Sequence, residues 1–158
     1  MAILKIRTDD DPMLRRTSRP VTQVDERIKE LIEDMYETMY AADGVGLAAV
    51  QVGKLKRLLV IDDREGHKFH LINPELIASE GDELGVEGCL SVPRRQGQVH
   101  RFQKVKVKFM NDTMENDVLE AEDFVARIIQ HEMDHLDGIL YTDKAQDVVY
   151  IDDSGQDQ

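Results

Sequence analysis

The stretch FVARIIQHEMDHLDG, residues 124–138, decides how the rest of the chain is read. Phe124, Ile128, His131 and His135 fall on one helical face, with Arg127 at its edge, so the spacing predicts a helix over about 121–136. Inside it, H-E-x-x-H sets His131 and His135 one turn apart, where both imidazoles reach one metal ion. Glu132 sits beside the first histidine, placed to touch a water on the metal rather than the metal itself. The plainer reading is a surface helix with two solvated histidines. His67, His70 and His100 carry no such pattern and are read as structural or exposed.

A catalytic metal site usually has three protein ligands and one open position. Only 23 residues follow His135, and none of them is His or Glu; Asp143 and Asp147 remain as candidates. The better candidate lies upstream in EGCLSVP, residues 87–93. Cys89 is the only cysteine of the chain, so it makes no disulfide within the molecule. Its thiolate binds Zn(II) or Fe(II) strongly, and glycine and proline bound the segment as they would a shaped loop. A lone Cys is otherwise a small apolar side chain. A third segment, GVGLAAVQ at residues 44–51, has two glycines that allow close backbone approach. Gln51 ends it with a neutral amide able to donate into a cavity.

Around these segments the pattern is mixed. Ile28, Leu31, Ile32, Met35, Tyr36, Met39 and Tyr40 predict a helix over 25–42 with Asp25 as its N-cap. RLLVID (57–62) and FHLINP (69–74) read as strands, as does the alternating stretch 99–109. Residues 118–121 and ILYTD at 139–143 are shorter candidates. Strands in the middle with a helix on either side give an α+β fold. The expected arrangement is small antiparallel or mixed β-sheets packed around the C-terminal H-E-x-x-H helix, with an additional N-terminal helix. Residues 1–142 form a single domain, and 143–158 an acidic tail, partly disordered, ending in DDSGQDQ.

With 41% hydrophobic and 33% charged residues, the composition is that of a soluble globular protein. One cysteine suggests a reducing compartment. The N-terminus has no signal-peptide apolar run, and no stretch is long enough to span a membrane; a cytoplasmic, unprocessed protein is expected. A net charge of −12 repels phosphate backbones, so direct nucleic-acid binding is not expected.

Taken in order, GVGLAAVQ, EGCLS and HEMDH resemble the motifs G-Φ-G-Φ-A-A-x-Q, E-G-C-L-S and H-E-x-D-H of the peptide deformylases, where Φ is apolar. The resemblance spans roughly residues 4–142, in the shorter bacterial form. It implies removal of the formyl group from the N-terminal formyl-methionine of nascent polypeptides, with release of formate. It makes Cys89, His131 and His135 the metal ligands, Glu132 the general acid/base, and Gln51 with the Leu90 N–H the oxyanion donors. It implies Fe(II) as the metal, with zinc, nickel or cobalt as substitutes. Phe124, Ile128 and Val45 would receive the methionine side chain, and Gly44-Val45-Gly46 the peptide backbone. Glu87 is a further substrate-side candidate, expected to pair with Arg101 and orient the segment carrying Cys89. Two departures stand out. Gln96 occupies a place where the family often has a peptide-contacting Arg, and the acidic tail is not expected to form the long C-terminal helix by which some bacterial members contact the ribosome, although the nascent substrate implies proximity to it. The rival readings are an H-E-x-x-H metallopeptidase with Cys89 structural, and a non-catalytic metal-binding domain.

Overall fold

A computed structural model describes residues 2–151; Met1 and 152–158 lie outside it, and with them the DDSGQDQ end of the expected tail. The order is α1 (Glu26–Ala41), β1 (Gly46–Ala48), β2 (Leu58–Asp62), β3 (Lys68–Glu80), β4 (Glu83–Cys89), β5 (Val92–Arg101), β6 (Lys104–Met110), β7 (Asn116–Glu122), α2 (Asp123–Leu136) and β8 (Gln146–Tyr150). A five-stranded sheet runs β1-β2-β3-β6-β7 and a three-stranded sheet β4-β5-β8, and the paired strands are antiparallel throughout. This is the α+β arrangement expected.

Strand β2 shows why the layers stack as they do. Leu58 and Val60 join a cluster with Ile28, Leu31, Met35 and Met39 of α1. Leu59 and Ile61, on the opposite face, join Val125, Ala126, Ile128 and Ile129 of α2. The period-two alternation of a strand thus serves both helices, and a strand covered on both faces reads as a continuous apolar run. Val92 and Val99 of β5 belong to the α2 cluster too, so α2 lies between the sheets. Asp25 caps α1 by accepting the Ile28 N–H at 3.0 Å. Arg57 caps the other end of the core, donating to the Leu136 carbonyl at 3.0 Å and pairing with Asp137 at the C-terminus of α2.

Several elements differ from the sequence expectation. The strand beginning in FHLINP runs on to Glu80. EGCLSVP, read as a shaped loop, is the tip of a β4–β5 hairpin, with Cys89 paired to Val92. The alternating stretch 99–109 is two strands, broken at Phe102–Gln103. There Gln130 of α2 accepts the Phe102 N–H at 3.0 Å and donates to its carbonyl at 2.9 Å. The chain crosses from one sheet to the other at this point, and a side-chain amide replaces the missing ladder. ILYTD is a 3-10 turn at Tyr141–Asp143 that buries Tyr141, not a strand. Beyond it, β8 pairs with β5 inside the segment assigned to the tail.

Candidate metal centre

Cys89, His131 and His135 come together from the hairpin tip and from α2, each with a ligand atom within 4.8 Å of the other two. Cys89 Sγ lies 3.3 Å from His135 Nε2. Tetrahedral coordination with ordinary metal–sulfur and metal–nitrogen bonds places such a pair about 3.5 Å apart. The two rings are 5.2 Å apart at 68°, as expected of histidines converging from successive turns. Sulfur with two imidazoles is a donor set for zinc or ferrous iron. The other candidate ligands are committed elsewhere: Asp143 pairs with Arg15, and Asp147 is exposed on β8. His67, His70 and His100 each hydrogen-bond to a carboxylate away from this group, at Asp63, Asp112 and Asp82.

Glu87 stands behind His131. Its Oε1 accepts from His131 Nδ1 at 2.8 Å and Arg101 Nη2 at 2.9 Å; its Oε2 accepts from Arg101 Nε at 2.8 Å and Arg127 Nη1 at 2.7 Å. Burial alone would raise this carboxyl, but the hydrogen bonds from Arg101 and then His131 hold it well below the usual carboxylate range. With Nδ1–H committed to Glu87, His131 keeps Nε2 for a metal. The sequence reading put Glu87 on the substrate side. At 6% exposure, with both oxygens accepting hydrogen bonds, it orients His131 from the edge of the cleft. Its pairing with Arg101 is present, and Arg101 also reaches Asp134 at 2.7 Å.

Glu132 is buried, and its Oε1 has no hydrogen-bond partner. Burial pushes its carboxyl up to about 7, with His131 pulling the other way. Burial also pushes His135 down, reinforced by the charge of His131. His135 Nδ1 is likewise a buried atom without a partner. A carboxylate oxygen left so in the interior fits a site completed by a polar substrate or a water. A Cβ at Gly46 would meet Glu132 Oε2 at 2.7 Å and Ile128 Cγ2 at 2.8 Å, so only glycine lets β1 pass this close to α2.

Gln51 sits in the 3-10 turn Ala49–Val52. Its Oε1 accepts the Ala48 N–H at 2.9 Å, which aims the amide nitrogen at Ser91 Oγ (2.9 Å) and past Cys89 Sγ (3.7 Å). A cleft of about 800 Å³ opens over these groups. Gly44, Val45 and Gly46 line one side and Leu90 another, with Phe124 and Ile128 beyond. Ile128 is buried, whereas Phe124 is 53% exposed at the rim. The geometry therefore gathers every residue expected from the sequence, with Glu87 both lining the cleft and bonded to His131, Arg101 and Arg127. Sequence reasoning missed Arg127 as a partner of Glu87, Ser91 as the partner of Gln51, and Tyr141, whose ring stacks 6.0 Å from that of His131. Arg127 was visible one turn before His131; the other two carried no signal.

The match to known proteins covers this whole arrangement. The family described as Polypeptide deformylase matches residues 3–149. Peptide deformylase 1 of Clostridium acetobutylicum is 56% identical over 91% of this chain and 95% of its own length. The peptide deformylase of Natranaerobius thermophilus is 48% identical over 98% and 99%. Among solved structures, the peptide deformylase of Thermotoga maritima superposes with a TM-score of 0.88 at 43% identity, covering 91% of this chain and 98% of that one. The Synechococcus elongatus enzyme in complex with actinonin gives 0.87 at 40% identity, over 91% and 79%. With its ligand triangle, its buried glutamate and these relatives in register, the chain belongs to the polypeptide deformylase family.

Proposed function

We propose that this protein removes the formyl group from the N-terminal formyl-methionine of nascent polypeptides and releases formate, with Cys89, His131 and His135 holding Fe(II). The donor set accepts zinc, nickel or cobalt as well. The observation that carries the reading is the juxtaposition of that ligand triangle with the unpartnered Glu132 oxygen at the floor of a peptide-sized cleft. A bound divalent cation would supply Lewis acidity, making water a usable nucleophile near neutral pH.

The chain's own residues do the rest. Glu132 takes the proton of the attacking water and returns it to the amine nitrogen as the C–N bond breaks, which a carboxylate beside that water can do. Gln51 and the Leu90 N–H donate to the formyl oxygen as it gains negative charge. One such donor is worth about 3–4 kcal/mol when it is already in place. The orientation of Gln51 is fixed by Ala48 and Ser91, so no reorganisation is needed. Val45, Phe124 and Ile128 receive the methionine side chain, and the backbone lies extended beside Gly44–Gly46.

A protein acting on nascent chains works in the cytoplasm and close to the ribosome. Among the described residues, no helix is long and apolar enough to cross a membrane. The test is formate release from formyl-Met-Ala peptides by anaerobically purified, metal-analysed protein, beside cleavage of an internal-peptide protease substrate. Formate release without internal cleavage supports the proposal. Internal cleavage without formate release supports a metallopeptidase.

A further inference from the structure

The cleft has one wall that the chemistry above does not use. Ile151, directly after β8, lines it beside Arg95 and Gln96. The strand that brings it there is held from several sides. The Ile151 N–H donates to the Arg94 carbonyl at 2.7 Å, and β8 pairs with β5 in the register Arg95 to Tyr150 and Gln96 to Val149. A Cβ at Gly97 would lie 2.9 Å from Ala145 Cβ and 3.2 Å from Val148 Cγ2, so glycine there lets β8 lie close. The Arg95 guanidinium sits 5.7 Å from the Tyr150 ring centre and pairs with Asp9 at 2.8 Å, tying the N-terminal segment to the same rim.

The formyl end of a substrate belongs at Cys89, His131 and His135, and the methionine side chain at Phe124 and Ile128. The rest of the lining includes the β5 end of the hairpin, Arg94, Arg95 and Gln96, with Ile151 beside it. Ile151 thus offers an aliphatic side chain to the part of the cleft open to the residues that follow the methionine. We infer that Ile151 is a specificity-determining residue, contacting the side chain of the second or third substrate residue and favouring an aliphatic one there. Arg95, Tyr150 and Asp9 are positioning residues that hold it in place. The inference rests on the deformylase reading and extends it beyond methionine.

The test uses the metal-loaded full chain with two substrates, formyl-methionine amide and formyl-Met-Leu-Leu amide. Ile151→Ser should lower kcat/KM on the longer substrate by about tenfold, the usual worth of an aliphatic contact in a pocket. The loss should appear in KM, leave formyl-methionine amide unchanged, and be restored by Ile151→Val. Both substrates meet the same preparation, so the ratio of their kcat/KM values does not depend on the fraction folded. An Ile151→Ser ratio equal to wild type, in a wild-type protein that releases formate, overturns this inference alone. A wild-type protein that releases formate from neither substrate overturns the deformylase reading and this one with it.

Discussion

His131 donates its Nδ1–H to Glu87 Oε1 at 2.8 Å, joining a metal-ligand candidate on α2 to a carboxylate on β4. The same carboxylate accepts from Arg101 and Arg127. A negative charge this deep is tolerable only because three partners meet it. The hairpin carrying Cys89 and the helix carrying both histidines are thereby fixed to one another before any ligand arrives. Gly85 belongs to the same arrangement, since a Cβ there would lie 2.8 Å from the Arg127 guanidinium carbon.

Replacing Glu87 by Gln should therefore weaken the site and the fold together. Metal affinity should fall about 10–100-fold as His131 loses its orienting acceptor. Removing one member of a buried charge network costs about 3–5 kcal/mol, read as a lowered denaturation midpoint. The pH dependence has a definite sign. The folded carboxyl is depressed below its ordinary value of 4.5, so its stabilisation is complete above that pH and is lost as pH falls toward the lower folded value. The wild type should lose stability on acidification below 4.5 more steeply than E87Q. Parallel curves for the two proteins would contradict the network's role.

Cys89→Ser should abolish stable metal binding while leaving the hairpin paired, because serine is a poor ligand for soft metal ions. Metal analysis after anaerobic purification checks this, with circular dichroism to confirm the fold. Full metal content in C89S would remove the sulfur from the ligand set and return the site to the rival in which an Asp serves.

The parts of this site that the sequence displayed are those with short-range spacing. His131, Glu132 and His135 sit within one helical turn or so, and Cys89 and Gln51 lie in compact segments. The helices were legible because their apolar stripes have one period from end to end. The β4–β5 hairpin was not. In β4 the inward positions are Gly85, Glu87 and Cys89, none a large apolar residue, so no alternation announces a strand. The break at Phe102 was hidden for the opposite reason: alternation continues across it, and only Gln130, distant in sequence, shows where the chain changes sheets. Strand β8 was missed because every one of its residues is exposed, and its partner β5 supplies the pairing. Local pattern reports burial, and these elements owe their form to contacts made from far along the chain.

Gly46→Ala is the smallest change that should separate site geometry from ligand identity. The new methyl would stand 2.7 Å from Glu132 Oε2 and 2.8 Å from Ile128 Cγ2, against side chains already packed into α2. Overpacking of this kind costs about 1–3 kcal/mol. Metal content should stay near wild type, since none of the three ligands is touched, while kcat drops as Glu132 is displaced. A variant with normal kcat would mean that Glu132 moves freely and that its packing against β1 does not position it.

Glu132→Gln tests the proton-moving role most directly. The amide keeps the shape of the side chain and leaves Cys89, His131 and His135 intact, so metal content should be unchanged. The rate on formyl-methionine peptides should fall about 10²–10⁴-fold, the usual worth of a positioned general acid/base. The pH profile supplies a second, independent signature. A carboxylate that accepts a proton works only when ionised, so wild-type kcat/KM should fall as pH drops through its pKa. Burial pushes that carboxyl up to about 7, and a divalent cation among the neighbouring ligands pulls it back down, so the acid limb should lie below 7 in the metal-loaded enzyme and differ between metals of different Lewis acidity. In E132Q the residual rate should lose this limb, because the group that titrates is gone. A residual rate that keeps the same limb would assign the titration to another group, and full activity in E132Q would remove Glu132 from the chemistry altogether.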